Sequence, residues 1–187
     1  MVTGHAYLIR PAEATDLAAL PSIERRAARL FDGWLTQIGL TQKFLENVSS
    51  IDELEEARQR GQLWIAAAPD GELAGFAQVV ILDGVAHLDE IDVIPEHGRK
   101  GVGSQLLDAV CRWARAAGYS KVTLSTFSDV PWNRPFYEKR GFRVIDQPLP
   151  PEHRQLVAAE RARGLRTDLR VIMERSLTGD EPDAFDG

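Results

Sequence analysis

Short, strand-like runs of mainly apolar residues, separated by turn residues, predict three consecutive strands in the middle of the chain. The strand patterns cover residues 63–68, 73–82 and 85–93, and Asp-Gly pairs at 70–71 and 83–84 separate them. Asp-Gly favours the positive φ angles of tight hairpin turns. The sequence therefore predicts an antiparallel meander of three strands.

Helical spacing of apolar residues predicts two helices before this meander. Thr15 or Asp16 can cap the first helix, and Pro21 within it predicts a kink or a break. Ser50 and Glu53 have the spacing of a capping box, which satisfies backbone N–H groups at the start of the second helix. The predicted apolar face of the first helix consists of Leu17, Leu20, Ile23, Ala27 and Leu30.

Helices and strands alternate after the meander. Apolar residues recur at helical spacing from 102 to 117, and Gly118 ends that helix. The remaining elements are strands at 6–10, 121–127, 142–145 and 168–175 and helices at 135–140 and 151–163. This order predicts an α/β fold in which helices flank a sheet of mixed direction.

Length and composition favour one domain. The chain has 187 residues, of which 44% are hydrophobic, enough to bury a core. We predict a single domain over residues 1–177 and a disordered acidic tail over 178–187, where Gly, Asp, Glu and Pro are concentrated. The formal net charge of -6 gives no electrostatic support for binding nucleic acid or an anionic membrane, so neither is an expected partner.

The cysteine, the histidines and the lack of targeting patterns bear on the expected cellular location and on metal binding. The single cysteine, Cys111, cannot form an intrachain disulfide. The first residues lack a signal-peptide pattern, and no apolar run reaches the roughly 18 residues of a membrane span. We therefore expect a cytoplasmic protein. The four histidines are scattered and fit no metal-ligand spacing, so we expect no metal.

A glycine-rich turn at residues 98–104 has the form of an anion site. It joins the end of a strand to the start of a helix, where unpaired N–H groups and a partial positive charge are presented. Its glycines allow the backbone to approach a phosphate closely, and Arg99 and Lys100 add positive charge. The alternative is that these glycines only make a tight turn.

The motif Tyr137-x-x-x-Gly141-Phe142 follows one strand later. In this order, and with this strand-sized spacer, the glycine turn at 98–104 and the second motif resemble the GNAT N-acetyltransferase superfamily, over about residues 6–142. The resemblance implies a mixed, mostly antiparallel central sheet of about six to seven strands flanked by helices. It also implies transfer of an acetyl group from acetyl-CoA to a primary amine.

The resemblance further implies which residues contact acetyl-CoA. These are Ile91, Val93, Gly98, Arg99, Lys100, Gly101, Val102, Gly103, Ser104 and Asn133. Two of them depart from the family pattern. Gly98 stands where the family has Gln or Arg, and Asn133 lies nearer to Tyr137 than the usual asparagine. Asn133 is therefore either a contact to the pantetheine arm or the cap of a helix.

Direct attack by an amine requires a base, because a primary amine with a pKa of ~10.4 is almost fully protonated at neutral pH. The strand before the glycine turn carries four polar residues, His87, Asp89, Glu90 and Asp92. Strict alternation puts Glu90 and Asp92 on one face of this strand and Asp89 on the other. Glu90 is the first choice for the base, Asp92 the second and His87 the third. The alternative is a solvated or ion-paired strand face.

Tyr137 is the candidate acid, because a phenol with a pKa of ~10 can protonate the departing thiolate. Its alternative role is that of a buried core aromatic. Phe31, Trp34 and Phe44 are candidates to contact the acceptor, which is a small-molecule or peptide amine. The protein is expected to be a monomer or a homodimer. The rival function is a non-catalytic acyl-CoA-binding or regulatory module on the same fold.

Overall fold

A computed structural model describes the chain at residues 7–145, 149 and 151–178. In this part of the chain, one sheet contains seven strands in the spatial order β1-β2-β3-β4-β5-β7-β6. The strands are β1 Leu8–Pro11, β2 Leu63–Ala67, β3 Leu73–Leu82, β4 Val85–Val93, β5 Lys121–Phe127, β6 Arg143–Val144 and β7 Arg170–Ser176. β4 and β5 run parallel and the other neighbours antiparallel, which confirms the mixed, mostly antiparallel sheet.

Helices flank this sheet on both faces. They are α1 Leu20–Ala28, α2 Leu35–Ile38, α3 Gln42–Leu45, α4 Ile51–Gln59, α5 Val102–Ala116, α6 Asn133–Glu138 and α7 Pro151–Ala162. Ser50 and Glu53 form the predicted capping box at the start of α4. Asp83 and Gly84 both have positive φ, 47° and 81°, so the predicted hairpin between β3 and β4 is confirmed.

The first helical segment differs from the prediction. A short 3-10 turn, Leu17–Ala19, precedes α1, and Pro21 lies in the first turn of α1, where its missing N–H needs no partner, instead of in the middle of the helix. Asp16 does not cap through its side chain, because its carboxylate accepts hydrogen bonds from Arg10 at 2.7 and 3.0 Å. Leu30 is 48% exposed and is not part of the buried face.

Two hydrophobic clusters cover the two faces of the sheet. On one face, Leu106 and Val110 of α5 belong to a cluster with Leu88 and Leu124 of the central strands. On the other face, the core around α1 and α4 includes Leu20, Leu54 and Phe76. The sheet is therefore fixed from both sides, and α5 is held under the centre of the sheet.

The predictions for the two ends of the chain are tested only in part. The first strand begins at Leu8, and residues 1–6 lie outside the described part. Of the predicted acidic tail at 178–187, only Thr178 is described. The assignment of residues 1–177 to one domain stays a prediction.

Candidate active site

The centre of the sheet opens where β4 and β5 separate. Their parallel pairing ends at Leu88 and Leu124, although β4 continues beside β3 to Val93 and β5 continues beside β7 to Phe127. The edge of β4 that contains Ile91 and Val93 is therefore not paired with β5. A cavity of about 580 Å³ lies at this opening and is lined by residues of both strands. Clefts of this size are typical of small-ligand sites.

A β-bulge in β4 arranges the polar side chains at the opening. Gln78 pairs with Glu90 and Val79 pairs with Leu88, so Asp89 is the extra residue. In a bulge two residues oppose one, and the alternation beyond it shifts by one residue. Asp89 and Glu90 consequently lie side by side across from Gln78. The separation of Asp89 from Glu90 expected from strict alternation is wrong for this reason.

The same shift places the three candidate bases on one face of β4. His87 pairs with Val80 before the bulge, and Glu90 pairs with Gln78 after it. Positions 78 and 80 of β3 share a face, so their partners do as well. His87, Glu90 and Asp92 all line the cavity.

The carboxylates of β4 have strongly raised pKa values. Burial, followed by the charges of Glu24 and Asp89, raises the pKa of Glu90 to about 8. Burial and the neighbouring Glu90 and Glu24 raise the pKa of Asp92 well above its usual range. Solvent reaches the half-buried Glu90 through the cavity, while protein atoms surround it on most sides. These carboxyl groups therefore hold protons more tightly than ordinary ones.

The pKa of His87 is shifted in the opposite direction. It is buried, and its Nδ1 lies 2.9 Å from the hydroxyl oxygen of Thr123. Burial, with smaller contributions from His153 and Arg170, lowers the pKa of His87 to about 3. Its imidazole is therefore neutral at physiological pH and much less basic than Glu90.

Tyr137 of α6 lines the same cavity. Its ring makes edge contacts with Phe136 and Phe142, with centroids 5.0 and 5.9 Å away. Burial, followed by the charges of Glu90 and Asp92, raises the pKa of Tyr137 above its usual value. Its phenol is therefore protonated throughout the physiological pH range.

The glycine turn follows β4 after a short 3-10 turn at Pro95–His97 and enters α5. Arg99 and Gly101 have positive φ, 59° and 82°, and α5 begins at Val102, which is buried. Arg99 and Lys100 are exposed. An added Cβ at Gly103 would lie 3.4 Å from the Phe136 ring, so α6 packs closely against the first turn of α5.

Hydrogen bonds tie the glycine turn to the rest of the sheet. The Tyr7 hydroxyl oxygen lies 2.8 Å from Nδ1 of His97, and His97 Nε2 lies 3.3 Å from a Glu72 carboxylate oxygen. His97 immediately precedes Gly98, so these contacts hold the entrance of the turn against β1 and the β2–β3 connection.

Asn133 also lines the cavity, but it does not cap α6. Trp132 occupies the capping position, and no side-chain hydrogen bond caps the helix. The Asn133 amide instead donates to the hydroxyl of Thr126 at 3.0 Å. The capping alternative is therefore wrong, and Asn133 connects α6 to the open part of β5.

Two of the three aromatic residues expected near the acceptor lie in the cavity wall. Phe31 and Phe44 line the cavity, whereas Trp34 is not part of its lining. Trp34 packs edge-on against Trp132, with ring centroids 5.6 Å apart. Trp34 and the cavity residue Phe31 therefore both pack against Trp132, which lies outside the lining.

The sequence profile of the Acetyltransferase (GNAT) family matches residues 29–142, more than half of the chain. The protein belongs to this acetyltransferase family. Among curated proteins, it is 32% identical over 127 residues to aminoglycoside N(6')-acetyltransferase type 1 of Klebsiella aerogenes, covering 64% of this chain and 78% of that protein. It is 30% identical over 88 residues to glucosamine 6-phosphate N-acetyltransferase of Trypanosoma brucei brucei, covering 43% of this chain and 58% of that protein.

Solved acetyltransferase structures share the fold. PaiA N-acetyltransferase of Thermoplasma acidophilum, in complex with coenzyme A, superposes with a TM-score of 0.69 at 21% identity, over 91% of this chain and 99% of that one. The ribosomal-protein-S18-alanine N-acetyltransferase of Escherichia coli gives a TM-score of 0.63 at 19% identity, over 96% and 99% of the two chains.

The acetyltransferase therefore uses acetyl-CoA as co-substrate and an amine as acceptor, and a non-catalytic binding module is not favoured. Within residues 7–145, 149 and 151–178, no cluster of three or more acidic, histidine or cysteine side chains could hold a metal ion. In those same ranges, no helix is long and apolar enough to cross a membrane.

Sequence reasoning missed several residues of this acetyltransferase site. Arg140 follows α6, and its guanidinium lies 3.9 Å from the centroid of Phe136 and donates to the hydroxyl of Ser104. Arg170 pairs with Glu160 at 3.0 Å in the cavity wall. Gln78 was detectable, because it is the one polar residue in the sequence LAGFAQVVIL of β3. The Arg170–Glu160 pair joins the neighbouring elements α7 and β7, and the periodicity within either element does not predict it.

Proposed function

We propose that this acetyltransferase acetylates a cationic primary amine that enters the acidic cavity at the β4–β5 opening. The observation that carries the proposal is that β4 supplies carboxylates to this cavity and is followed, after one short 3-10 turn, by the glycine turn, while Tyr137 lines the same cavity. A donor site, a base and an acid are thereby brought to one opening.

The glycine turn is the proposed diphosphate site. Backbone N–H groups at the start of α5 and the side chains of Arg99 and Lys100 supply donors and positive charge. The remaining backbone contacts of the diphosphate come from Gly98, Gly101, Val102, Gly103 and Ser104. Arg140 adds a further cation, since its guanidinium already contacts Ser104.

The pantetheine arm is proposed to run along the open edge of β4. Ile91 and Val93 lie there, beyond the last pair with β5, so their backbone groups can bind an extended ligand as a neighbouring strand would. Asn133 lies across the opening, and its amide oxygen is available after its nitrogen has donated to Thr126.

Glu90 is the proposed base, acting directly or through a water molecule. Its raised pKa of about 8 brings the carboxylate closer to the ~10.4 of an alkylammonium, so proton transfer is less unfavourable than to an ordinary carboxylate. The pKa of Asp92 is also raised, but its Oδ2 is buried and therefore less accessible to an amine. His87 is the weakest candidate, because its lowered pKa makes it a poor base.

Tyr137 is the proposed acid. After the amine nitrogen bonds to the acetyl carbon, the C–S bond breaks and the CoA thiolate needs a proton. The phenol is protonated, lines the cavity and, within the described residues, makes no hydrogen bond that would restrain its proton.

The charge of the cavity supports a cationic acceptor. Its acidic lining residues are Glu24, Glu53, Glu56, Asp89, Glu90, Asp92 and Glu160, and its arginines are Arg60, Arg163 and Arg170. Excess negative charge attracts ammonium groups and raises their local concentration. The curated relatives act on an aminoglycoside and an amino sugar phosphate, and a small-molecule amine fits a cavity of this size better than a folded protein does.

Thiol release from acetyl-CoA tests this function. The purified protein is mixed with acetyl-CoA and, in turn, an aminoglycoside, glucosamine 6-phosphate and simple alkylamines. We expect amine-dependent release of CoA and an acetylated amine detectable by mass spectrometry. Tight binding of acetyl-CoA with no turnover across the panel would favour the non-catalytic module instead. A cytoplasmic location, a monomeric or homodimeric state and the absence of nucleic-acid partners stay predictions.

A further inference from the structure

Three side chains that carry hydrogen-bond acceptors meet at the bulge of β4. Asp89 and Glu90 both oppose Gln78 across the bulge, and all three residues line the cavity. We refer to these three residues as the bulge site. It lies immediately beyond Leu88, where the pairing with β5 ends and the proposed reaction takes place.

Gln78 indicates that the bulge site takes a ligand. Its side chain is buried, with 8% exposure, and its Oε1 has no hydrogen-bond partner among the described residues. Buried acceptors are almost always paired, because leaving one without a donor costs folding free energy. A ligand that brings N–H donors to this position would remove that cost.

Asp89 gives the second indication. It is exposed to the cavity, and its carboxylate makes no ion pair or hydrogen bond within the described residues. Two other acidic residues of the lining form ion pairs, Glu56 with Arg60 at 2.5 Å and Glu160 with Arg170 at 3.0 Å. Asp89 is therefore a carboxyl group without an ion-pair partner beside the proposed base, and burial raises its pKa.

The proposed reaction does not use the Asp89 carboxylate. One proton leaves the attacking ammonium for Glu90, the new N–C bond forms, the C–S bond breaks as Tyr137 protonates the thiolate, and the second proton on the nitrogen returns to the Tyr137 phenolate. A single carboxylate suffices for that sequence, and the product amide is neutral. The Asp89 carboxylate and Gln78 Oε1 are therefore free to accept hydrogen bonds from another part of the amine substrate.

We propose that Asp89, with Gln78 Oε1, binds a second, non-reacting ammonium group of the acceptor, so that preferred substrates are diamines or polyamines. This inference rests on the proposed function and extends it to a substrate class. The second ammonium anchors the molecule at the bulge while the other amino group attacks the thioester. A monoamine of the same length lacks that anchor.

A matched pair of acceptors tests the inference. Putrescine and n-butylamine have the same carbon chain and differ in one amino group. We expect kcat/KM to be at least about tenfold higher for putrescine, because a charge-assisted hydrogen bond to the second ammonium is lost in butylamine. Asp89→Asn and Gln78→Leu should bring this ratio towards one, chiefly by raising KM for putrescine.

The KM and kcat values separate anchoring from catalysis. If Asp89→Asn lowered kcat for both amines and left the ratio unchanged, Asp89 would be part of the proton-transfer machinery and the inference would be overturned. An unchanged ratio in Gln78→Leu would mean that Gln78 is satisfied within the protein. Asp83→Asn in the β3–β4 hairpin, outside the cavity lining, is the matched control and should leave the ratio as in the wild type.

Calorimetry with putrescine, in the presence of coenzyme A, distinguishes this inference from the proposed function. Binding that weakens about tenfold in Asp89→Asn supports the ammonium site even if no amine is acetylated, in which case only the proposed function fails. Acetylation of both amines at equal efficiency supports the function and overturns the inference. Equal putrescine binding by the wild type and Asp89→Asn, or no binding at all, also overturns it.

Discussion

The guanidinium of Arg140 donates a hydrogen bond to the hydroxyl of Ser104 in the first turn of α5. It also donates to the carbonyl oxygen of Phe136 at 2.8 Å, so it is fixed in place by α6. A cation at the N-terminal end of a helix is unfavourable by itself, because both carry positive charge. An anion bound at the glycine turn would be attracted by both the Arg140 guanidinium and the N-terminal end of α5, and would so offset this repulsion.

Replacement of Arg140 by leucine should therefore weaken acetyl-CoA binding. Loss of one charge-assisted contact raises the Kd by about tenfold or more, and the effect should diminish as salt screens the charge. Isothermal titration at two ionic strengths measures both quantities. Arg134→Leu removes an exposed arginine of α6 that pairs only with Glu138 among the described residues, and it should leave the Kd unchanged. Equal Kd values for both variants would remove Arg140 from the cofactor site.

The left-handed backbone of Gly101 makes a second prediction about the turn. Alanine at φ 82° is strained by ~1–2 kcal/mol, although an added Cβ has no closer neighbour than Gln105 at 3.7 Å. Gly101→Ala should lower the free energy of unfolding and, by displacing the turn, also weaken acetyl-CoA binding. Gly84→Ala imposes the same strain at φ 81° in a distant hairpin. Denaturant unfolding should show similar losses in both, with a weaker affinity in Gly101→Ala alone. Equal affinities would mean that the turn does not bind the cofactor.

Removal of the Tyr137 hydroxyl should slow the chemical step. Tyr137→Phe keeps the ring contacts with Phe136 and Phe142 and removes the only proton that the side chain can donate. General acid catalysis contributes typically ~10²–10⁴-fold, so kcat should fall by about 10²-fold or more while the KM for acetyl-CoA changes little. Steady-state thiol release measures both. Tyr119→Phe, beside Trp113 and outside the cavity lining, should retain wild-type kcat. Wild-type kcat in Tyr137→Phe would assign Tyr137 to packing alone.

The sequence predicts the fold well because its signals are local. The Asp-Gly pair at 83–84, the capping box of Ser50 and Glu53, and the apolar face of α5 each act within one element. The failures arise where local pattern meets tertiary contacts. Asp16 looks like a cap, but Arg10 binds its carboxylate. Leu30 fits the helical spacing, but the helix ends before it.

In the candidate site, too, some residues could be predicted from local sequence and others could not. Glu90, Tyr137 and the glycine turn could be proposed from the sequence, because their residue types and order are typical of the family. The bulge at Asp89 could not, since it is created by the register between β3 and β4, and periodicity in one strand does not record it. Arg140 was missed for a similar reason, because its contact with Ser104 spans 36 residues.

The raised pKa of Glu90 should be visible in the pH dependence of activity. A base must be ionised, so kcat/KM should rise as pH increases through about 8, the pKa of the buried carboxyl group. Glu90→Gln should lose this limb and keep only the rise that comes from ionisation of the amine near ~10.4. Thiol release between pH 6 and 10 in the two proteins gives the profiles. If Glu90→Gln retained the limb near 8 and only Asp92→Asn removed it, Asp92 would be the base.

The same group should also affect stability, independently of any substrate. The folded state raises the pKa of Glu90 from 4.5 to about 8, so between these values the folded protein holds a proton that the unfolded chain has released. The free energy of unfolding should consequently fall as pH rises from about 4.5 to 8, and Glu90→Gln should reduce this fall. Above pH 8 the variant should be more stable than the wild type, because it does not bury a charge near Glu24 and Asp89. Urea unfolding at a series of pH values measures the difference. If Glu90→Gln were less stable than the wild type above pH 8, Glu90 would have a stabilising partner in its ionised form, and its pKa would not be raised.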